Sequence, residues 1–316
     1  MSATLPDPSS FLSGDAGDVT DPWRRAKRTA GELAFNALDT LAGTRRRAAR
    51  LVGTTRAPLD ILVIGVYRPG SLFAEALHPL HSDRHNVRIA LGSTGRADAR
   101  LRHHTVAESL TGGKFENLNR VLEASGAAVP APGPAPGPAP DPDPDWVLVV
   151  DDDVSLPRAF LDRFVAVCEA FGLDLAQPAQ TLRSHSAWKV TRRRPVSLVR
   201  QTRFVEIGPV TAFSRRAAAE LLPFPELRYG WGLDLHWAAI AGQRGWRLGV
   251  VDALPVGHES GLVAATYPRE EAESEAARFL ADRPYLPSVR AGEVIAVHRR
   301  APGRDGGSGA AAGRRG

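Results

Sequence analysis

Trp146-Val147-Leu148-Val149-Val150 runs without a break into Asp151-Asp152-Asp153-Val154. An unbroken apolar run of this kind predicts a strand buried on both faces, as in the middle of a parallel sheet. The three carboxylates that follow repel one another, so a purely structural role is disfavoured. A hard divalent cation such as Mn2+ or Mg2+, bound together with phosphate oxygens, relieves that repulsion. Outward from this stretch, strands are predicted over residues 59–66, 86–91, 173–178, 205–213 and 246–251. Helices are predicted over residues 115–123 and 233–242. This alternation predicts an α/β fold: one domain with a mostly parallel sheet covered by helices on both faces. Ligands of such sheets bind beyond the carboxyl ends of the strands, where the aspartates stand.

The chain has 316 residues, with 40 Lys and Arg against 35 Asp and Glu, a net charge of +5. The surplus sits at the ends. Residues 1–56 hold nine basic and six acidic side chains, residues 301–316 hold three and one, and the middle is balanced. A nucleic-acid-binding domain carries its surplus on its own surface, so that class is excluded. The single cysteine, Cys168, excludes an internal disulfide and a multi-cysteine zinc site. No apolar run reaches the ~18 residues of a membrane span. The acidic start without an apolar stretch is unlike a signal peptide, and a cytoplasmic location is expected. Arginine, alanine and proline dominate the composition, so a single arginine says little about function.

Residues 1–20 are expected to be disordered, as is the Gly/Ala/Arg-rich tail 301–316. Residues 21–56 form a basic helical extension to a domain spanning 57–300. Asp21 can cap a helix that has Pro22 in its first turn. Apolar residues recur at Trp23, Ala26, Ala30, Leu33, Ala37 and Leu41, opposite Arg24, Arg25, Lys27 and Arg28. Two readings stand: a helix packed on the domain or a partner, and a peripheral membrane contact through residues 21–52, drawn to anionic lipid. Residues 130–144 carry proline at every second position and predict an extended, solvated insertion.

Aspartates after a strand also occur in response-regulator receivers and in haloacid-dehalogenase-type phosphatases. A receiver needs a phosphoacceptor aspartate at a later strand end, and residues 193–204 contain no carboxylate. The phosphatase needs Thr or Val where Ser155 stands and a later acidic pair, whereas Asp252 stands alone. Residues 58–290 instead resemble a glycosyltransferase of the A-type nucleotide-sugar fold, similar to family 2. The resemblance rests on Ile64-Gly65-Val66-Tyr67-Arg68 as the nucleotide-binding turn and on Gly112-Gly113-Lys114-Phe115-Glu116-Asn117-Leu118-Asn119. It also rests on Asp151-Asp152-Asp153 as an Asp-x-Asp motif. Tyr229-Gly230-Trp231-Gly232-Leu233-Asp234, Gly249-Val250-Val251-Asp252 and Gly257-His258-Glu259 resemble the C-terminal half of an uncharacterised plant and bacterial family of that superfamily. Two departures stand out. Residues 91–95 lack the acid that reads the base, and Leu233-Asp234 replaces the usual acidic pair.

The resemblance implies a metal-dependent, inverting transfer of a sugar from a nucleoside diphosphate to a hydroxyl acceptor such as a glycan. Mn2+ or Mg2+ would be held by Asp151, Asp153 and His258. The nucleotide-sugar would lie against Val66, Tyr67, Arg68, Lys114, Asn117, Asp151 and Asp152. Asp234 would be the base, with Glu206, Tyr229 and Trp231 near the acceptor. Two alternatives remain. One is a non-catalytic glycan- or partner-binding module. The other is a nucleotidyltransferase, although residues 66–70 are short and poor for its phosphate loop.

Overall fold

A computed structural model describes residues 5–13, 21–126, 143–259 and 268–302. The expectations for residues 1–4, 14–20, 130–142 and 303–316 lie outside the described residues.

A single 3-10 turn, Pro8–Ser10, followed by the buried Phe11, precedes two helices, α1 (Pro22–Leu41) and α2 (Thr44–Val52). Next come β1 (Asp60–Tyr67), α3 (Phe73–Leu80), β2 (Asn86–Ser93), the short β3 (Thr105–Ala107) and α4 (Lys114–Ala124). The middle of the chain supplies β4 (Trp146–Val150), β5 (Val154–Ser155), α5 (Phe160–Phe171), β6 (Leu175–Gln180) and β7 (Val199–Thr202). Then follow β8 (Val210–Ser214), α6 (Arg215–Leu221), α7 (Leu233–Arg244), β9 (Leu248–His258), α8 (Arg269–Leu280), α9 (Ser288–Ala291) and β10 (Val294–His298).

The sheet runs β10-β7-β9-β6-β8-β4-β1-β2-β3, with β5 paired to the end of β9. Within that row β1, β2, β3, β4, β6, β9 and β10 point one way, and β7 and β8 point the other. The α/β class with a mostly parallel sheet is the one the alternation predicted. Alternate residues of one strand feed opposite faces. Trp146, Leu148 and Val150 of β4 enter one core with residues of α2, α3 and α5. Val147 and Val149 enter the other with residues of α4, α6, α7 and α8.

Residues 205–213 were expected to form one strand, but β8 begins only at Val210. Gly208 ahead of it takes φ +113°, outside strand geometry, and residues 203–209 form a loop. The strand expected over residues 246–251 is β9, which continues to His258 because β5 pairs with its far end, Val154 opposite His258.

The amino-terminal helix departs from the expected orientation. It does pack on the domain, but through its acidic side: Glu32 and Asp39 are buried, while Trp23 is 80%, Leu33 66% and Leu41 86% exposed. The cause is Arg193, whose side chain is fully buried and needs countercharge. Its guanidinium donates to Glu32, to Asp39 and to Asn36 Oδ1. The loop carrying Arg193 adds two backbone donors, Leu182 N–H to Glu32 at 2.8 Å and Val196 N–H to Asp39 at 2.7 Å. In α2, by contrast, Ala48 and Leu51 belong to the main core. Arg193→Ala strands two buried carboxylates, a change that typically costs ~3–5 kcal/mol. A lower thermal midpoint and early proteolysis within residues 21–52 are expected. A wild-type melting curve would refute the clamp.

Candidate functional site

The three aspartates follow β4 and diverge. Asp152 turns back to Arg68, accepting its backbone N–H at 2.8 Å and two guanidinium N–H groups at 3.0 Å each. It therefore fixes the turn after β1. Asp151 and Asp153 instead converge with His258 across the turn that joins β4 to β5. Ligand atoms of Asp151, Asp153 and His258 all lie within 4.8 Å of one another.

Sheet register explains the meeting with His258. Val154 pairs with His258, and Glu259 N–H donates to Asp153 O at 2.9 Å. His258 Nε2 then lies 3.3 Å from Asp153 Oδ1, while its backbone N–H donates to Ser184 Oγ at 2.9 Å. Its Nδ1 faces the carbonyl of His185 at 3.4 Å. A ring that turns one nitrogen to a carbonyl presents the other outward as a ligand.

Lys114, the first residue of α4, places Nζ 2.5 Å from Asp151 Oδ1. A Cβ at Gly208 would come within 2.8 Å of Asp151 Oδ2 and 3.4 Å of Lys114 Nζ. The φ of +113° favours glycine there, and a Cβ would crowd the end of the Asp151 side chain. Sequence reading missed it, because its only local signal is Gly-Pro after a strand-like run.

Burial works against a charged Asp153, yet the His258 imidazole, Lys114 and Arg68 outweigh it and hold the carboxyl below its usual range. Burial likewise opposes a charged His258, but Asp153, Asp151 and Glu206 lift the imidazole above its usual range. Two carboxylates and an imidazole converging on one point suit Mn2+, and Mg2+ less well because of the nitrogen ligand. Cationic partners now compensate the charge that such an ion would neutralise.

A second pair of acids lies nearby. Asp234 is buried in the first turn of α7, where its carboxylate accepts Leu235 N–H at 2.9 Å and the N–H of Ile207. Burial, then the charge of Glu206, raises it to about 7. Glu206 accepts from Gln180 Nε2 at 2.8 Å, and its own backbone N–H donates to Gln177. Burial raises it too to about 7, against the hydrogen bond from Thr191 and the charge of His258. The loop 203–209 thus ties the metal-type cluster, through Gly208, to the acid pair, through Glu206 and Ile207.

The Gly-Trp-Gly turn before α7 is shaped by close contacts. A Cβ on Gly230 would fall 1.9 Å from the Phe115 ring, and one on Gly113 would fall 2.3 Å from the Arg228 carbonyl oxygen. The start of α4 and this turn therefore touch. Glu275 of α8 clamps the turn by accepting the backbone N–H groups of Arg228, Tyr229 and Gly230 at 2.7–2.9 Å. Nothing in the sequence around Glu275 signals that role.

Other predicted positions are placed as follows. The Tyr67 ring is buried, its hydroxyl 2.8 Å from Thr105 Oγ1, so only its backbone reaches the turn. Val66 is half-buried at the same strand end. Asn117 is buried, with its amide oxygen accepting from Arg120 at 3.1 Å. Tyr229 donates its hydroxyl to Glu271 at 2.5 Å, and Arg269 lies over the Trp231 ring at 5.9 Å. Trp237 is a core residue packed edge-on against Phe213. Asp252, alone in sequence, is buried in a pair with Arg200 at 2.9 Å.

No family model matches the chain, and no curated protein matches it. Among solved structures, it is similar to S. aureus TarS 1–349 in complex with UDP-GlcNAc, at 15% identity and TM-score 0.45. That match covers 70% of this chain and 65% of the other. It is similar to a mycobacterial protein at 17% identity and TM-score 0.42, covering 73% and 75%. It is also similar to GalNAc-T7 with UDP, GalNAc and Mn2+, at 11% identity and TM-score 0.43, covering 70% of this chain and 47% of that one. The chain thus spans less than two thirds of the TarS and GalNAc-T7 chains. All three are likenesses in the course of the backbone.

Proposed function

We propose that the protein is a metal-dependent glycosyltransferase, moving a sugar from a nucleoside diphosphate to a hydroxyl acceptor with inversion. The observation that carries this reading is the convergence of Asp151, Asp153 and His258 beyond the carboxyl end of β4, with Lys114 against Asp151. Asp151, Asp153 and His258 would hold Mn2+ or Mg2+, which when bound acts as a Lewis acid toward the diphosphate leaving group. Lys114 adds a mobile positive charge at the same place and binds a phosphate oxygen. Arg68, fixed by Asp152, orients the turn that carries the nucleotide, with the backbone of Val66 and Tyr67.

Asp234 is the base. It takes the acceptor hydroxyl's proton as that oxygen bonds to the anomeric carbon, and the bond from that carbon to the diphosphate oxygen breaks with its electrons. A carboxyl raised to about 7 is well matched to this role near neutral pH. Glu206, Tyr229 and Trp231 border the acceptor side. Residues 57–300 form the catalytic unit and residues 21–56 brace it.

The test is thermal shift of the full chain with UDP or GDP, each with and without Mn2+. A rise in midpoint that needs both the metal and one nucleotide is expected, since a ligand at 100 times its Kd stabilises by ~2.7 kcal/mol. No response to either nucleotide in the presence of metal refutes the donor site and leaves a binding module.

A further inference from the structure

The outer face of α1 is apolar along its whole length. With about 100° per residue, Trp23, Ala30, Ala37 and Leu41 fall in a sector about 40° wide, and Ala26, Leu33 and Ala34 widen it to about 100°. All seven are exposed, and none is polar. Glu32 and Asp39 lie on the far side, locked to Arg193. The helix therefore spends its acids inward and turns its hydrophobic side to the outside, the reverse of an ordinary surface helix.

Lys27 borders this face, about 40° round the helix from Trp23, and Arg24 lies on its flank at about 100°, while the segment as a whole is basic. Arg24, Arg25 and Lys27 are exposed near its amino end, and Arg45, Arg46 and Arg50 are exposed on α2, just past its carboxyl end. Arg45 reaches back to α1, donating to Asn36 Oδ1 at 2.9 Å. The only exposed acid among residues 21–52 is Asp21, which caps the helix by accepting Arg24 N–H at 3.0 Å.

We infer that this face docks on an anionic lipid surface, with α1 lying in the plane of the interface. Trp23, Leu33 and Leu41 enter the headgroup boundary, and the flanking arginines and Lys27 meet lipid phosphates. A second copy fits worse. Pairing of two α1 helices brings together segments of the same sign, since residues 21–52 hold eight basic side chains against three acids, two of which are taken by Arg193. The segments outside the described residues offer little apolar cover: Met1, Val19, Val129, Leu262, Val263 and Tyr267 are their only large apolar side chains. The inference is independent of the transferase reading.

The experiment is co-sedimentation of the full chain with extruded vesicles of phosphatidylcholine, with and without phosphatidylglycerol, at low and high salt. Binding is expected only with phosphatidylglycerol. It should fall as salt shortens the Debye length from ~10 Å at 0.1 M to ~3 Å at 1 M, and Trp23 emission should shift to the blue. Trp23→Glu combined with Leu41→Glu changes exposed positions only. That variant is expected to keep the wild-type melting midpoint and nucleotide response while losing at least ~10-fold in partitioning. Lys27→Glu with Arg24→Glu should lose the preference for phosphatidylglycerol. Wild-type protein left in the supernatant with phosphatidylglycerol vesicles overturns the inference, as does undiminished binding of the Trp23/Leu41 variant. Dimers in solution that the same substitutions dissolve would place a second copy on the face and overturn it as well. Failure of the nucleotide response alone strikes the transferase reading and leaves this one standing.

Discussion

Asp153→Ala will no longer gain affinity for a nucleoside diphosphate when Mn2+ is added. Asp153 belongs to the candidate cluster, 3.3 Å from His258 and one residue from the β5–β9 pairing that brings His258 in. Outer-shell partners of a metal ligand are commonly worth 10- to 100-fold in affinity, so removing a ligand itself should cost more than ~100-fold. Asp151→Ala should weaken binding less, because Lys114 remains to hold a phosphate. The fold should survive both changes, since β4 ends before either residue and its core contacts lie at Trp146–Val150. Calorimetric titration decides the matter. Wild-type affinity in Asp153→Ala, with Mn2+ present, removes the metal assignment.

Asp234→Asn separates a base from a helix-start residue. Asparagine keeps a side-chain oxygen that can accept from Leu235 and Ile207. What it loses is the capacity to take a proton. Transfer should fall by ~10²–10⁴-fold, the usual contribution of a positioned base, while donor binding persists. In the wild type the rate should rise with pH through about 7, as the Asp234 carboxyl ionises. Glu206 titrates in the same range, so the apparent value belongs to the pair. Asparagine should remove the Asp234 part of that limb.

Stability carries a second signature. A carboxyl whose pKa climbs from 3.8 to about 7 on folding binds its proton more tightly in the native state. Stability therefore declines as pH rises from about 4 to 7. The Asn variant should lose less of its melting midpoint than the wild type between pH 5 and 7, a window within that titration range. Normal turnover in Asp234→Asn, measured with a competent acceptor, would eliminate it as the base. Joint loss of turnover and donor binding would move it to the donor site.

The elements that positioned the site were readable where a local pattern was strong. The run Trp146–Val150 is apolar on both sides of the chain, so burial on both faces follows directly. Asp21 and Pro22 marked the start of α1 to the residue. The docked side of that helix was not readable, because its partner Arg193 lies 154 residues from Asp39 and resembles many other arginines. β7 escaped notice for a related reason. Its Arg200 looks like a surface residue until Asp252 and the carbonyls of Val190 and Arg192 enclose it. The meeting of Glu206 with Asp234 depends on a loop shaped by Gly208, and no periodicity reports that. His258 was suggested by resemblance, but only the pairing of β5 with β9 supplies a physical reason for its place.

The separation of α1 from Arg193 also has a temporal side. A ribosome adds ~5–20 residues each second, so the 154 residues between Asp39 and Arg193 take roughly 8–30 s to synthesise. Throughout that interval Glu32 and Asp39 lack Arg193, their partner in the folded protein. The newborn helix has both its acidic and its apolar side open to whatever surrounds the nascent chain. Its final seating is thus among the later events of folding, set by the arrival of a single arginine.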